Sequence, residues 1–376
     1  KKKFNRFFRD ELYGEFRNDE NIILSRGAWH DDFVVFPEIF SYCLEYTISK
    51  HWTGYSDSLG HENTIDSILH LSNINRISYT YSQENVALTI GNSFTLGIVF
   101  QQLSEWFPNS GIITFTPYYP PIIKSISRQF HDVSFVSSLQ DERDIISNIA
   151  STIEDTGHKI LLLTNFIGVE GKSFSEEFWS SIMKLIRKYD LFLVIDEGIS
   201  FIPLIYPENI HHENVLRVIS GSKKYGIPGM KFGFMLGGKK FIQEFYDFAS
   251  TNYGGPLSVF FLLSEFLYTF EHAHNTNGSQ SGSLKELACR YEISEKTINK
   301  LFKNFTETLE KNKDNFHNNR RILQEWSEKN NHHFEEVHIS GGINSIFRLK
   351  NEYGSAHELF LHAISKYKVS ILPGRC

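Results

Sequence analysis

The residues best suited to carry out a reaction lie in a glycine-rich stretch between two apolar runs, Ser220–Phe234. This stretch carries two adjacent lysines, Lys223 and Lys224, and a third lysine, Lys231, eight residues after the first. A lysine amine attacks an aldehyde only while it is neutral, and burial beside other cations lowers its pKa. Two adjacent lysines are more often part of a solvated surface loop. The glycine-rich flanks favour the chemical interpretation, a lysine that forms a Schiff base, because they let the backbone approach a ligand.

The order of residues in this stretch resembles the signature of the class I/II aminotransferases, a family of fold-type I pyridoxal 5'-phosphate (PLP) enzymes. That signature places Ser-x-Ser-Lys before an aromatic residue and a Gly-x-x-Gly turn, with a basic residue eight positions after the reactive lysine. The residues on this pattern are Ser220, Ser222, Lys223, Tyr225, Gly226, Gly229, Lys231 and Gly233. The resemblance implies PLP as the cofactor and Lys223, not Lys224, as the Schiff-base lysine. Ser220 and Ser222 would also contact the cofactor, and Lys231 would bind its phosphate where the family usually has an arginine.

Three other segments carry residues that the resemblance assigns to the cofactor. Gly91, Asn92 and Ser93 lie between a short apolar run and a stretch of helical periodicity, and the exposed N–H groups at such a helix start bind anions. The resemblance places the family's phosphate loop there, with Asn92 and Ser93 suited to cap the helix. It also places Tyr119 against the face of the pyridine ring, although a buried tyrosine at a strand end is an equally good interpretation. Tyr55 would reach the phosphate in the neighbouring subunit, which implies a homodimer.

Asp196 lies near the end of a nearly continuous apolar run, Leu191–Glu197, of the kind found in buried parallel strands. The resemblance places its carboxylate against the pyridine nitrogen, where it would keep the ring protonated and make the cofactor an electron sink. Acids at strand ends are often only solvated turn residues. A rival interpretation, a nucleotide hydrolase with a phosphate loop ending at Ser173, fails on spacing because Phe166 stands where the first glycine is required.

Two departures from the family pattern concern the residues that bind the ring hydroxyl. Gly168 stands where the family has an asparagine, and Ile199 stands where it has a tyrosine. The loss of both donors leaves open a PLP-dependent lyase, decarboxylase or amino-acid cyclase beside an aminotransferase. A helix-turn-helix-like spacing over 283–298 leaves open a degenerate, cofactor-binding regulator, but acidic residues there balance the lysines, so we favour a pair of amphipathic helices.

The elements that must position these residues follow a β-α-β order. Apolar runs at 159–165 and 191–197 flank a helical pattern over 173–189, in which Ser173 and Glu176 have capping-box spacing. A further strand at 215–219 leads into the lysine stretch. The resemblance implies an α/β fold with a three-layer α/β/α large domain, a mostly parallel sheet of the PLP-dependent transferase type and a smaller α+β domain. The expected parts are 1–50 (arm and first helix, part of the small domain), 51–270 (large, cofactor-binding) and 271–376 (small, truncated relative to the family).

The composition of the chain limits the kinds of partner and the cellular compartment that we expect. The chain has 376 residues, 41% of them apolar and 22% charged, with a net charge of −6, so it is typical of a soluble protein with room for two domains. The net charge makes nucleic acid an unlikely partner, and no apolar run has the length of a membrane span. The histidines lack the spacing of a metal site. Three widely spaced cysteines, Cys43, Cys289 and Cys376, indicate a reducing compartment, the cytoplasm, and the expected partner is a small amino substrate.

Overall fold

A computed structural model describes residues 21–24, 36–52, 54–74, 80–165, 173–198, 206–207, 210–252, 254–255, 260–276, 282–336, 347–350 and 355–371. The strands in these ranges are β1 Ile22–Ile23, β2 Val86–Thr89, β3 Ile112–Thr116, β4 Val133–Ser137, β5 Ile160–Thr164, β6 Phe192–Glu197, β7 Val215–Ser220, β8 Gly233–Leu236, β9 Phe334–Glu336, β10 Phe347–Leu349 and β11 Val369–Ser370.

The helices in the same ranges alternate with the strands through the first two thirds of the chain and dominate the last third. They are α1 Pro37–Ser49, α2 Glu62–Ser72, α3 Asn92–Trp106, α4 Pro120–Gln129, α5 Glu142–Thr156, α6 Glu176–Tyr189, α7 Gly221–Lys224, α8 Lys239–Asn252, α9 Phe261–Asn275, α10 Gly282–Arg290, α11 Glu295–Lys329 and α12 Ala356–Tyr367. Short 3-10 turns at Gln83–Asn85 and Pro228–Met230 precede β2 and β8.

The central sheet has seven strands in the order β2-β8-β7-β6-β5-β3-β4. Strand β8 runs antiparallel to both of its neighbours, and the other adjacent pairs are parallel. The predicted α/β fold with a mostly parallel sheet is therefore confirmed. The apolar runs that predicted β5 and β6 are buried on both faces, as expected for central parallel strands.

Helices cover both faces of this sheet, which gives the predicted three layers. Helices α3, α4 and α8 pack on one face around apolar side chains such as Phe100, Ile126 and Phe245. Helices α5 and α6 cover the other face of the central strands through side chains such as Ile149 and Ile182. Because successive side chains of a strand point to opposite faces, Asp196 and Ser220 follow Val194 and Val218 onto the α3 face.

The predicted capping box of α6 was wrong by two residues. The helix begins at Glu176, and its cap is Ser175, whose Oγ accepts a hydrogen bond from the Phe178 N–H at 3.1 Å. Glu176 is therefore the first helical residue and cannot occupy the third position that a capping-box glutamate requires. Glu142 also accepts a hydrogen bond from the Ser175 N–H at 2.9 Å, so a tertiary contact helps to fix the start of this helix.

The last third of the described chain contains the two helices predicted over 283–298. They are α10 and the first turn of α11, and Glu292 lies between them with a φ of 51°, the left-handed conformation that usually requires glycine. Their apolar side chains join α1 and α9 in one core. The domain boundary predicted between residues 270 and 271 lies within helix α9. The division into domains remains a prediction.

Short strand pairs complete the described fold. Strand β1, near the start of the chain, pairs in parallel with β11 near its end, and β9 pairs antiparallel with β10. In the described ranges, no helix is both long enough and apolar enough to cross a bilayer.

The aromatic core of the helical region gives a stability prediction. Phe305 of α11 is fully buried and stacks on Phe36 with ring centroids 5.0 Å apart, whereas Ile322 of the same helix is 50% exposed. Phe305→Ala should lower the free energy of unfolding by about 3–5 kcal/mol because it leaves a cavity. Ile322→Ala should lower it by less than about 0.5 kcal/mol. Urea denaturation followed by circular dichroism measures both, and equal effects of the two substitutions would contradict this packing.

Candidate active site

The Asp196 carboxylate lies at the carboxyl end of β6 and accepts hydrogen bonds from three directions. The Asn92 side-chain amide donates to Oδ1 at 2.6 Å, and the Gly198 N–H donates to the same oxygen at 2.9 Å. The Tyr118 hydroxyl donates to Oδ2 at 2.9 Å. Three separate segments of the chain therefore hold one carboxylate in a single orientation.

The environment of Asp196 raises its pKa above that of an ordinary aspartate. Burial is the main cause because it disfavours the charged form, and the nearby Glu197 carboxylate adds to it. The hydrogen bonds from Gly198, Tyr118 and Asn92 act in the opposite direction because they stabilise the carboxylate. All three donors are uncharged, so the site still favours a cation placed against Asp196.

The start of α3 is built differently from the predicted cap. Gly91 is the residue that precedes the helix, with a φ of 95°, and no side chain caps the helix there. The prediction that Asn92 and Ser93 cap this helix was wrong, because the Asn92 amide turns away to Asp196 and to the Val218 carbonyl at 3.1 Å, and Ser93 is exposed. The N–H groups of the first turn remain available to an anion, as the macrodipole favours.

The lysine loop connects β7 to β8 through one helical turn. Ser220 begins the turn α7, and its Oγ accepts a hydrogen bond from the Ser222 N–H at 3.1 Å. Lys231 follows the 3-10 turn in a left-handed conformation, with a φ of 51°. A methyl group built on Gly91 would lie 3.9 Å from the Lys231 Cα, so the exposed Lys231 adjoins the start of α3.

Gly233 closes the lysine loop where β8 pairs with β7. A Cβ at this position would lie 2.4 Å from the Ile219 carbonyl oxygen, a distance that side chains do not tolerate. The glycine that the signature places here is therefore required by the close approach of the two strands.

The structure separates the two adjacent lysines. The Lys224 ammonium donates to Glu271 Oε1, and the Tyr225 hydroxyl donates to Oε2 of the same carboxylate. Lys223 is partly buried, and its pKa is lowered mainly by that burial and secondarily by the positive charge of Lys231. A lowered pKa makes the neutral, nucleophilic amine more abundant at neutral pH, which supports the prediction for Lys223.

Tyr118 is the residue of this site that sequence reasoning missed. Its pKa is raised well above the ordinary value by burial and by the Asp196 carboxylate that it contacts. Tyr119, the predicted residue, is 51% exposed and precedes the first turn of α4. The tyrosine pair before Pro120 was visible in the sequence, but only the fold shows which of the two faces Asp196. The stacking role of Tyr119 remains a prediction, as do the roles of Ser220, Ser222 and Lys231.

Glu197, the second acid of the Asp196–Glu197 pair, is committed elsewhere. It accepts two hydrogen bonds from Arg217, from Nε at 2.5 Å and from Nη2 at 3.0 Å, and both side chains are largely buried. The Glu197 carboxylate is therefore neutralised by a buried arginine. Among the described residues, no group of three or more histidine, cysteine or acidic side chains could hold a metal ion.

The residues that the structure brings together fit the functional groups of PLP. Lys223 offers an amine of lowered pKa to an aldehyde, and Asp196 offers a carboxylate to a protonated ring nitrogen. The start of α3 at Gly91 and the adjoining Lys231 offer N–H groups and a positive charge to a phosphate. Gly168 and Ile199, the two departures from the family pattern, lie outside the described residues.

The hydrogen bond from Tyr118 to Asp196 gives a prediction with a matched control. Tyr118→Phe removes a donor that stabilises the carboxylate, so the pKa of Asp196 should rise further above its ordinary value. Tyr119→Phe removes a neighbouring hydroxyl that no described contact brings to Asp196, so it should leave that pKa unchanged. Carbon-13 NMR titration of aspartate carboxyls, with Asp196→Asn to assign the signal, measures both. Equal titration of Asp196 in the two variants would show that Tyr118 is not its partner.

The electrostatic coupling of Lys223 and Lys231 gives a second prediction. Lys231→Met removes a positive charge, so the pKa of Lys223 should rise. Lys231→Arg keeps the charge, so it should leave the pKa of Lys223 unchanged. Most of the lowering should survive in Lys231→Met because burial is the larger cause. The pH dependence of reductive methylation at Lys223, followed by mass spectrometry, measures the shift. A midpoint that does not move in Lys231→Met would exclude the coupling.

Solved structures of other proteins share the fold of this chain. The structure resembles an aspartate aminotransferase double mutant from Thermus thermophilus, with a TM-score of 0.71 and 16% sequence identity over 94% of this chain and 84% of that one. It also resembles an aromatic aminotransferase from Pyrococcus horikoshii OT3, with a TM-score of 0.68 and 14% identity over 95% and 88% of the two chains. An aspartate aminotransferase from Thermotoga maritima gives a TM-score of 0.70 and 14% identity over 94% and 84%. At such identities these likenesses show the fold.

The sequence itself carries the stronger evidence. Residues 21–376 match the family described as aminotransferase class I and II, which covers nearly the whole chain. This match confirms the family, the enzyme class and the function that the lysine signature predicted. The chain belongs to the class I and II aminotransferase family, whose members are pyridoxal phosphate-dependent transferases.

Proposed function

We propose that this protein is an aminotransferase that binds PLP covalently through Lys223 and acts on an amino acid or a related small amine. The observation that carries the proposal is that an amine of lowered pKa, in the helical turn directly after β7, and a fixed carboxylate near the end of β6 follow neighbouring strands. Strands β6 and β7 are neighbours in the sheet, with Asp196 paired to Val218, so both groups lie at one edge. This edge is where ligands of open α/β sheets bind.

Each end of the cofactor has residues suited to hold it. Asp196 would contact the pyridine nitrogen, and the phosphate would lie at the start of α3 near Gly91, Ser93 and Lys231, with Ser220 and Ser222 beside it. Asn92 supports the opposite end of the cofactor by orienting Asp196. Tyr119 would stack on the ring. Bound there, PLP supplies an electron sink for the negative charge that develops at the substrate carbon.

Lys223 would then act as the general base and acid of the reaction. Its side chain is partly buried, and its lowered pKa increases the fraction of neutral amine, the form that can accept a proton from the substrate carbon. The neighbouring Lys231 favours return of that proton because its positive charge disfavours the ammonium form of Lys223. Asp196 would keep one orientation throughout, because three hydrogen-bond donors hold its side chain.

The proposed assembly is a homodimer in which the partner subunit's Tyr55 contacts the phosphate. Tyr55 is 98% exposed in the isolated chain, an unusual state for a large aromatic side chain and one expected of a residue that contacts another subunit. We place the protein in the cytoplasm, where a reducing environment suits the free thiols of Cys43 and Cys289.

Chemical trapping tests this proposal. The purified protein, incubated with PLP and reduced with borohydride, should carry one stable label, mapped by mass spectrometry to Lys223. Lys223→Ala should lower kcat for transfer of an amino group to a keto acid by at least about 100-fold, because it removes the general base. A label on Lys224, or full activity of Lys223→Ala, would overturn the assignment.

A PLP-dependent lyase, decarboxylase or cyclase is the second candidate. The residues that favour it are Gly168 and Ile199, which cannot donate side-chain hydrogen bonds to the ring hydroxyl. Analysis of products from an amino donor separates the two candidates, because an aminotransferase releases the corresponding keto acid and leaves the amino group on the acceptor.

A further inference from the structure

Glu271 of α9 holds the two residues that follow Lys223. Its side chain is buried, with one carboxylate oxygen accepting from the Lys224 ammonium and the other from the Tyr225 hydroxyl. In the chain, Glu271 lies 47 residues after Lys224 and 46 residues after Tyr225. A single carboxylate from a distant helix is therefore attached to the lysine loop directly beside the reactive amine.

The lysine loop needs such an attachment because its helix is very short. Helix α7 has four residues, and a helix of that length is not stable by itself in water. Ser220 anchors its first turn through the hydrogen bond to the Ser222 N–H, and Glu271 anchors its end. Tyr225 adds packing, with its ring stacked on Phe232 at a centroid distance of 6.1 Å.

The ion pair between Glu271 and Lys224 distinguishes two lysines that have the same reactive group. Successive residues of a helix point about 100° apart, so Lys223 and Lys224 cannot face the same side of the turn. The ion pair directs Lys224 toward α9, where only 22% of its side chain is exposed. Lys223 instead has Lys231 as its charged neighbour, which adjoins the start of α3.

We propose that Glu271 is a specificity-determining residue that selects which of the two adjacent lysines reacts with an aldehyde. It holds the Lys224 ammonium on α9, so that Lys223 alone presents its amine at the sheet edge. The identity of the aldehyde as PLP rests on the proposed function above, but the selection between the lysines is a property of the loop and applies to any small aldehyde.

The chain provides a matched control on the same helix. Glu265 is also buried, and it accepts from the Arg290 guanidinium and from the Tyr291 hydroxyl in the way that Glu271 accepts from Lys224 and Tyr225. Glu265→Gln and Glu271→Gln therefore remove the same charge from the same helix. Only the second change touches the lysine loop.

Reductive methylation with formaldehyde and cyanoborohydride at neutral pH tests the selection without PLP. The amine condenses with formaldehyde and releases water, cyanoborohydride supplies the hydride, and mass spectrometry of peptides gives a rate for each lysine. In the parent protein Lys223 should react faster than Lys224. Glu271→Gln should increase the Lys224 rate by about tenfold or more, as expected from loss of a charge-assisted hydrogen bond. Glu265→Gln should leave the rates of both lysines unchanged.

Two results would overturn the proposal. One is equal reactivity of the two lysines in the parent protein, and the other is an unchanged Lys224 rate in a Glu271→Gln variant whose circular dichroism is native. Should Glu271→Gln fail to fold, Lys223→Ala decides instead, because it keeps the ion pair. Lys224 should stay as slow to methylate in Lys223→Ala as in the parent, and a faster rate there refutes the role of Glu271.

A second arm with PLP and borohydride separates this proposal from the proposed function. Lys223→Ala should take up no label at Lys224, whereas the double variant Lys223→Ala/Glu271→Gln should be labelled there. If PLP labels neither lysine of the parent protein while the methylation rates follow the expected pattern, the proposed function fails and the role of Glu271 stands. Label at Lys224 in Lys223→Ala alone would refute the role of Glu271.

Discussion

The fixed carboxylate of Asp196 is the constraint on which the rest of the site depends. Burial at the end of a central strand destabilises a charge, and the chain offsets this cost with an amide, a hydroxyl and a backbone N–H. These donors come from the start of α3, the segment before α4 and the residue that follows β6. Because each donor is uncharged, these three contacts orient the Asp196 side chain without placing a counter-ion against it.

Other buried carboxylates of the described residues have a cation as a hydrogen-bond donor. Glu197, Glu265 and Glu271 each accept a hydrogen bond from a cation, namely Arg217, Arg290 and Lys224. A buried ion pair of this kind is costly to break, because the remaining charge has no partner. Asp196 differs from these three carboxylates, since its contacts within the described residues are with uncharged donors, the Asn92 amide, the Tyr118 hydroxyl and the Gly198 N–H.

The sequence was sufficient for features that depend on local pattern. Continuous apolar runs predicted β5 and β6, and the glycine spacing predicted the lysine loop, because burial on both faces and close backbone approach impose those patterns directly. The roles of Asn92, Tyr118 and Glu271 could not be predicted, because their partners lie 104, 78 and 47 residues away in the chain. The start of α6 also could not be predicted from local sequence, since Ser173 and Ser175 are both suitable caps. Glu142, a residue distant in the chain, accepts a hydrogen bond from the N–H of Ser175, the residue that caps the helix.

The same reasoning explains why a helix-turn-helix-like spacing occurs in an enzyme of this family. Helices α10 and α11 bury side chains such as Leu287 and Phe302 in the core that also contains residues of α9. Glu265 ties the Arg290–Tyr291 turn between them to α9, and Glu271 ties the lysine loop to the same helix six residues further on. Helix α9 therefore has two separate buried attachments, one to the helix pair and one to the lysine loop. The helix-turn-helix-like spacing therefore follows from the need to pack two amphipathic helices against a third.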